Sequence, residues 1–358
     1  MSEPNSYLSA GKFRSLQMLA DDQGRFKMVA VDQRPPLFNA LARHGRRKME
    51  EVRDDEIAAV KSLLVEALAP HSSAILVDPI WAHPDALPFI PGRVGLISTL
   101  EDYAFEKRAG ERYSVPIEGW SVAKIKRSGA AGVKVLAYHR PDLSPEAAEH
   151  QDAFVEGVGA ACREHDIPFI LELLIYPKGD EQVDSWEYAR AKPQRVLASL
   201  RRFAQARFAV DLFKLEFPAD FKHTREFARG AFDRVERRPA YDLSEVEGYL
   251  RELDEVSPVP WVLLSAGVRQ REFALNIELA TLAGASGFLA GRAVWFEALD
   301  SYPDMQGMRE RLEKESLPFF RSISALADGA LPWAAHRRFR GEPLLEGGGR
   351  GWHTRYKG

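Results

Sequence analysis

Eight short runs dense in Val, Ile, Leu and Phe recur along the chain, at residues 26–32, 73–78, 95–100, 131–138, 168–176, 212–217, 261–267 and 287–292. Apolar residues fill both phases of their alternation, the pattern of strands buried on both faces, as in a parallel sheet covered by helices. Amphipathic segments lie between most of them. Residues 54–69 place Ile57, Val60, Leu64, Ala67 and Leu68 on one stripe, and Ser144-Pro145 reads as an N-cap with proline at the first helical position. Ser244 and Glu247 have capping-box spacing, and residues 193–206 and 270–283 repeat the helical period. Between the second and third runs Pro79, Pro84, Pro88 and Pro91 leave room for only a turn of helix. Eight strands and about seven helices predict a single closed (β/α)8 barrel with a shortened second β/α unit. An open doubly wound sheet is the competing architecture, but no Gly-x-Gly-x-x-Gly follows any run.

Residues 1–24 are expected to cross the floor of the barrel as a helix. The barrel domain is expected to cover residues 1–330, and the basic, glycine-rich stretch 331–358, with Gly347-Gly348-Gly349, to form a flexible or subunit-docking tail. Lys and Arg number 49 against 52 Asp and Glu, a formal charge of −3, and no basic run is interleaved with aromatic residues. Nucleic acid is therefore not an expected partner. No apolar run approaches the roughly 20 residues of a membrane span, and the first residues lack a signal-peptide pattern. With one cysteine, Cys162, disulfide and cysteine-rich metal chemistry are excluded, and a reducing, cytoplasmic setting is expected. A homo-oligomer, dimer or tetramer, is the expected assembly.

Charge on a barrel strand changes the picture, because it is costly to bury. Lys134 lies in the fourth run, Glu172 in the fifth, Lys214 and Glu216 in the sixth, and the first ends Val31-Asp32-Gln33-Arg34. Period two puts Lys214 and Glu216 on one face, opposite Phe213, Leu215 and Phe217. Two lysines and two or three carboxylates are thus expected in the lumen. A buried ion-pair network that merely closes the barrel is one explanation. Charges on four strands favour a site, since pairing offsets so much desolvation poorly. Lys134 and Lys214 are expected to leave one amine uncharged and able to attack a carbonyl. The apolar neighbours Ile170, Leu171 and Leu173 are expected to raise the pKa of Glu172.

The seventh run ends Ser265-Ala266-Gly267 and the eighth Gly291-Arg292. Small residues let backbone N–H groups approach an anion, and arginine adds a planar donor fork, in the two loops where this fold usually holds phosphate. None of the nine histidines makes a His-x-His or His-Glu-x-x-His pattern, and only His83 and His139 lie near strand ends. No metal and no cofactor are expected.

These residues fall in segments that identify a resemblance. They include Asp22-Gln23-Gly24, Val31-Asp32-Gln33-Arg34, Leu76-Val77-Asp78-Pro79, Val133-Lys134-Val135-Leu136-Ala137-Tyr138, Leu171-Glu172-Leu173-Leu174, 187–193, 211–216, Leu264-Ser265-Ala266-Gly267-Val268 and Gly291-Arg292-Ala293-Val294-Trp295. Over roughly residues 12–300 the chain resembles the class I tagatose-1,6-bisphosphate aldolases, a family that includes sulfofructose-phosphate aldolases. The resemblance implies that Lys214 forms a Schiff base, that Glu172 is the acid/base, and that Asp32, Gln33, Lys134, Ser265 and Arg292 hold the substrate. Arg34, Gly267 and Gly291 complete the expected binding set. The chain departs from the family pattern at Pro35-Pro36, where glycine often follows the Asp-Gln-Arg, and at Pro177-Lys178-Gly179, where aspartate commonly follows the tyrosine. Both lie at the barrel mouth and bear on sugar specificity.

The expected activity is metal-independent cleavage of a phosphorylated ketose, tagatose 1,6-bisphosphate, to dihydroxyacetone phosphate and glyceraldehyde 3-phosphate. The alternatives are a sulfofructose-phosphate aldolase yielding sulfolactaldehyde, and a metabolite-sensing regulator on an aldolase barrel. The rival base within the sequence is Glu216.

Overall fold

All eight apolar runs are strands in the computed structural model, which describes residues 7–339, 343–347 and 349–356. They span Phe26–Ala30 (β1), Ala74–Val77 (β2), Gly95–Thr99 (β3), Gly132–Tyr138 (β4), Phe169–Leu174 (β5), Leu212–Leu215 (β6), Trp261–Leu264 (β7) and Gly287–Ala290 (β8). Each pairs in parallel with its chain neighbour, and β8 returns to β1 with Leu289 opposite Met28, closing the barrel. Alternation sorts the side chains. Val29, Val133, Val135, Leu171, Leu173, Phe213 and Leu215 point outward and pack with the helices. Met28, Ala30, Leu76, Ile97, Ile170, Leu212, Val262 and Leu289 fill the lower lumen. A helix over Ala10–Leu19 closes the floor with Leu16 and Leu19; the expected part of that segment before Tyr7 lies outside the described residues.

The second unit is short, as the prolines require: only the 3-10 turn Leu87–Phe89 separates β2 from β3. An antiparallel hairpin, Glu106–Arg108 with Glu111–Tyr113, follows β3 and turns at Ala109 and Gly110, both at positive φ. Ser144 caps the helix Pro145–Glu164, as expected. Two helix starts differ from expectation. The helix before β6 runs Trp186–Phe203, capped by Ser185, so Pro193 sits inside it rather than at its start. The box before β7 is formed by Asp242 and Glu245 rather than Ser244 and Glu247, the Asp242 carboxylate accepting from the Glu245 N–H at 3.0 Å.

The segment from residue 331 is not a loose tail where it is described. Trp333 and Phe339 join the floor cluster, with Trp333 edge-on to Phe13 at 5.7 Å. Leu344–Leu345 pairs in parallel with Tyr7–Leu8, and the Tyr356 hydroxyl bonds Asp166 and accepts from the Gly11 N–H. Apolar Trp333 and Phe339 cover lumen surface that would otherwise meet water, which the basic composition of the stretch conceals.

Candidate active site

Above the apolar lumen layers the inward positions turn polar. Lys134 on β4 lies opposite Thr99 and Ile170 in register, and Glu172 on β5 lies opposite Lys214 on β6. The Glu172 Oε2 is 2.9 Å from Lys214 Nζ and 2.8 Å from Lys134 Nζ. Lys134 also donates to Asp32 at 2.9 Å and to Glu101 at 2.8 Å. Arg34 donates to the Glu101 carbonyl at 2.8 Å and faces its carboxylate at 3.3 Å; Thr99 donates to the other carboxylate oxygen at 2.6 Å. All of these groups are buried. Asp32, Arg34, Glu101, Lys134, Glu172 and Lys214 line a cavity of about 620 Å3 at the C-terminal end of the strands, also lined by Gln33, Ser265, Gly291 and Arg292.

Every residue of the expected set therefore lies at this mouth. Gly267 lies in an adjoining lobe of about 570 Å3 that shares Arg112, Tyr138 and Arg292 with the first. Arg34 serves mainly to anchor Glu101. Glu216 does not join Lys214: it accepts from the Ile175 N–H at 2.8 Å and faces Lys192 at 3.6 Å in the second lobe.

The electrostatics correct one expectation. Burial does push the Glu172 carboxyl up, but Lys134 and Lys214 outweigh it and hold the group below the usual carboxylate range. Asp32 is likewise held well below that range, its burial outweighed by Lys134, Lys214 and Arg34. Burial pushes the Glu216 carboxyl up, although Lys192 and the Ile175 N–H oppose it. Lys134 is not a bare charge acting on Lys214. Burial would lower its pKa, but Asp32, Glu101 and Glu172 hold it well above the lysine value. Lys214 Nζ donates to the Glu172 carboxylate at 2.9 Å.

The anion-binding expectation rests on a tight local geometry. Ala266 and Gly267 both adopt positive φ, and a Cβ on Gly267 would lie 2.9 Å from the Arg292 guanidinium carbon. A Cβ on Gly291 would fall 2.4 Å from Gln33 Nε2. Gln33 Oε1 is buried with no hydrogen-bond partner among the described residues.

Glu101, Arg112 and Tyr138 escaped the sequence reading. Glu101 was detectable, because it follows β3 in the inward phase of Ile97 and Thr99. Arg112 sits in the hairpin, where no period marks it. His139 is buried against Ser199 and Phe203 outside the cavity, and burial takes its pKa down to about 4. No group of three potential metal ligands occurs among the described residues.

A closed parallel barrel with a buried lysine–carboxylate array at its mouth, beside an arginine-lined cradle, defines a barrel enzyme for a small anionic carbonyl compound. The chain matches the DeoC/LacD family aldolase model over residues 26–297 and belongs to that family. It is 34% identical over 332 residues to a tagatose 1,6-diphosphate aldolase of Listeria monocytogenes, covering 91% of this chain and 94% of that one. It is 32% identical over 297 residues to the Streptococcus agalactiae enzyme of the same name, covering 82% and 88%. The fold is shared with a Schiff base-forming fructose-1,6-bisphosphate aldolase at TM-score 0.55 and 17% identity, covering 88% of this chain and 99% of the other. It is shared also with a fructose-bisphosphate aldolase from Plasmodium falciparum at TM-score 0.60 and 12% identity, covering 92% and 99%.

Proposed function

We propose that this aldolase acts through a Schiff base on Lys214 and cleaves tagatose 1,6-bisphosphate between C3 and C4, giving dihydroxyacetone phosphate and glyceraldehyde 3-phosphate. The observation that carries the reading is the Glu172 carboxylate bridging two lysine ammoniums at 2.8 and 2.9 Å. The names of the relatives support the sugar.

Glu172 takes a proton from the Lys214 ammonium, and the freed amine adds to the C2 carbonyl. Glu172 returns that proton to the carbinolamine hydroxyl, which leaves as water and gives the iminium. The regenerated carboxylate then accepts the C4 hydroxyl proton. The C3–C4 bond breaks, its electron pair passing into the iminium, and the aldehyde departs. Protonation of the enamine at C3 and addition of water release dihydroxyacetone phosphate and restore Lys214. Lys134 keeps Asp32 and Glu172 in place and donates to substrate hydroxyls, while Ser265, Gly267 and Arg292 cradle the C1 phosphate and Gln33 accepts from the substrate.

Borohydride reduction with dihydroxyacetone phosphate, followed by peptide mapping, tests this. The adduct is expected on Lys214, because only an iminium is reduced to a stable secondary amine. An adduct on Lys134, or none, would overturn the assignment. Turnover of tagatose 1,6-bisphosphate and 6-deoxy-6-sulfofructose 1-phosphate in parallel decides the sugar.

A further inference from the structure

Around the barrel mouth most cations are matched by acids. Arg34 meets Glu101, Arg140 meets Asp142 and Glu181, Arg195 meets Glu181, Lys178 meets Glu111 and Lys192 meets Glu216. Two guanidiniums line both lobes of the cavity without a carboxylate partner among the described residues, Arg292 and Arg112. One of them, Arg292, already belongs to the cradle after β8. Arg112 projects from the hairpin after β3, its guanidinium carbon 4.2, 4.7 and 4.9 Å from the ring centres of Tyr138, Tyr176 and Phe105.

Aromatic faces attract a guanidinium but leave the N–H donors along its edge for a planar or tetrahedral anion. Three rings thus hold Arg112 in place without neutralising it. Lys107 of the same hairpin lies 5.5 Å over Phe105 and also lines the cavity. The barrel order places these cations. Tyr138 ends β4 and Arg292 follows β8, four strands apart in a ring of eight, so they stand on opposite walls with β6 and Lys214 midway. A substrate anchored at Arg292 and reacting at Lys214 extends its far end toward Arg112.

We propose that Arg112, assisted by Lys107, binds the second anionic group of the substrate, the phosphate or sulfonate carried by the half released as aldehyde. This rests on the aldolase reading and assigns its specificity for a doubly charged ketose to the hairpin.

The test compares kcat/KM for a ketose 1,6-bisphosphate with kcat/KM for the corresponding ketose 1-phosphate within each enzyme. Arg112→Gln is expected to lower that ratio roughly 10- to 100-fold, and Arg112→Lys, which keeps the charge but loses the fork, to lower it less. An unchanged ratio, or equal losses on both substrates, would overturn the proposal. Repeating the comparison with the 6-sulfonate in place of the 6-phosphate tells which anion the site prefers; a ratio lost for either one supports the site. Borohydride trapping of dihydroxyacetone phosphate, which lacks the second anion, separates the two readings. Trapping on Lys214 with an unchanged ratio removes only the role of Arg112, and a fallen ratio without trapping on Lys214 removes only the Schiff-base assignment.

Discussion

Replacing Lys134 by methionine keeps most of the side-chain volume and removes one charge from the centre of the site. Three cations, Lys134, Lys214 and Arg34, there face three carboxylates, Asp32, Glu101 and Glu172, all buried. Lys134 alone contacts all three acids, at 2.8 to 2.9 Å. Its loss leaves an excess buried negative charge and strips Asp32 of its hydrogen-bonded cation. Removing one partner of a buried ion pair costs about 3–5 kcal/mol, and this is the expected loss of unfolding free energy near neutral pH, read from urea titration. The pH dependence identifies the cause. In the parent protein Asp32 and Glu172 are held below their ordinary values, so their stabilisation is present above about pH 4 and lost as pH falls through the lower folded values. In the variant Asp32, left without a hydrogen-bonded cation, is expected to titrate above its ordinary value, so the penalty is full at neutral pH and fades as it takes up a proton. The gap between the two proteins should be widest at about pH 7–8 and narrow toward about pH 5. A deficit below about 1 kcal/mol near neutrality, or one equally large at both pH values, would show that packing rather than charge sets the role of Lys134.

Glu172→Gln cannot accept a proton and should lower kcat by about 10²–10⁴ and slow borohydride trapping of dihydroxyacetone phosphate on Lys214, since Glu172 frees the amine and expels the carbinolamine water, whereas Glu216→Gln should cost less and leave trapping unchanged, because Glu216 faces Lys192. A larger kcat loss for Glu216→Gln would move the base to the second lobe. Gly267→Ala places a methyl 2.9 Å from the Arg292 guanidinium at a φ of +78, so KM should rise by roughly tenfold or more with the fold retained by circular dichroism. An unchanged KM would mean that the C1 phosphate is held elsewhere. Deleting residues 341–358 removes the Leu344–Leu345 pairing and the Tyr356 bonds but spares Trp333 and Phe339, so the barrel should remain folded, with stability lower by about 1–2 kcal/mol in urea titration.

The barrel was legible because a strand buried on both faces carries no polar phase. Runs such as Val133, Val135 and Ala137 against Lys134 and Leu136 announce both the strand and its exceptions. The same rule found Lys134, Glu172 and Lys214, since a charge inside an apolar run has few structural explanations. It failed where a side chain reaches the mouth from irregular backbone. Arg112 is placed by a hairpin and three aromatic rings drawn from separate segments, contacts that no local spacing encodes. Charge balance was also hidden. The apolar neighbours of Glu172 suggested a raised pKa, but its field is set by Lys134 and Lys214 on the two adjacent strands. The tail misled for a simpler reason: its basic, glycine-rich composition masked the two aromatic residues that seal the floor.

The pairing of Tyr7–Leu8 with Leu344–Leu345 brings the two ends of the described chain together beneath the floor, on the side away from the mouth. Eight consecutive β/α units closed in a ring have no intrinsic first member, and here the chain happens to open between β8 and β1. A short linker between the ends, with a new break at the exposed turn around Gly129, where an added Cβ would meet nothing within 4 Å, gives a circular permutant that begins just before β4. Its barrel would enclose the same lysines and carboxylates in a different order of synthesis, and fusion partners at the original ends would hang below the floor, clear of the substrate entrance.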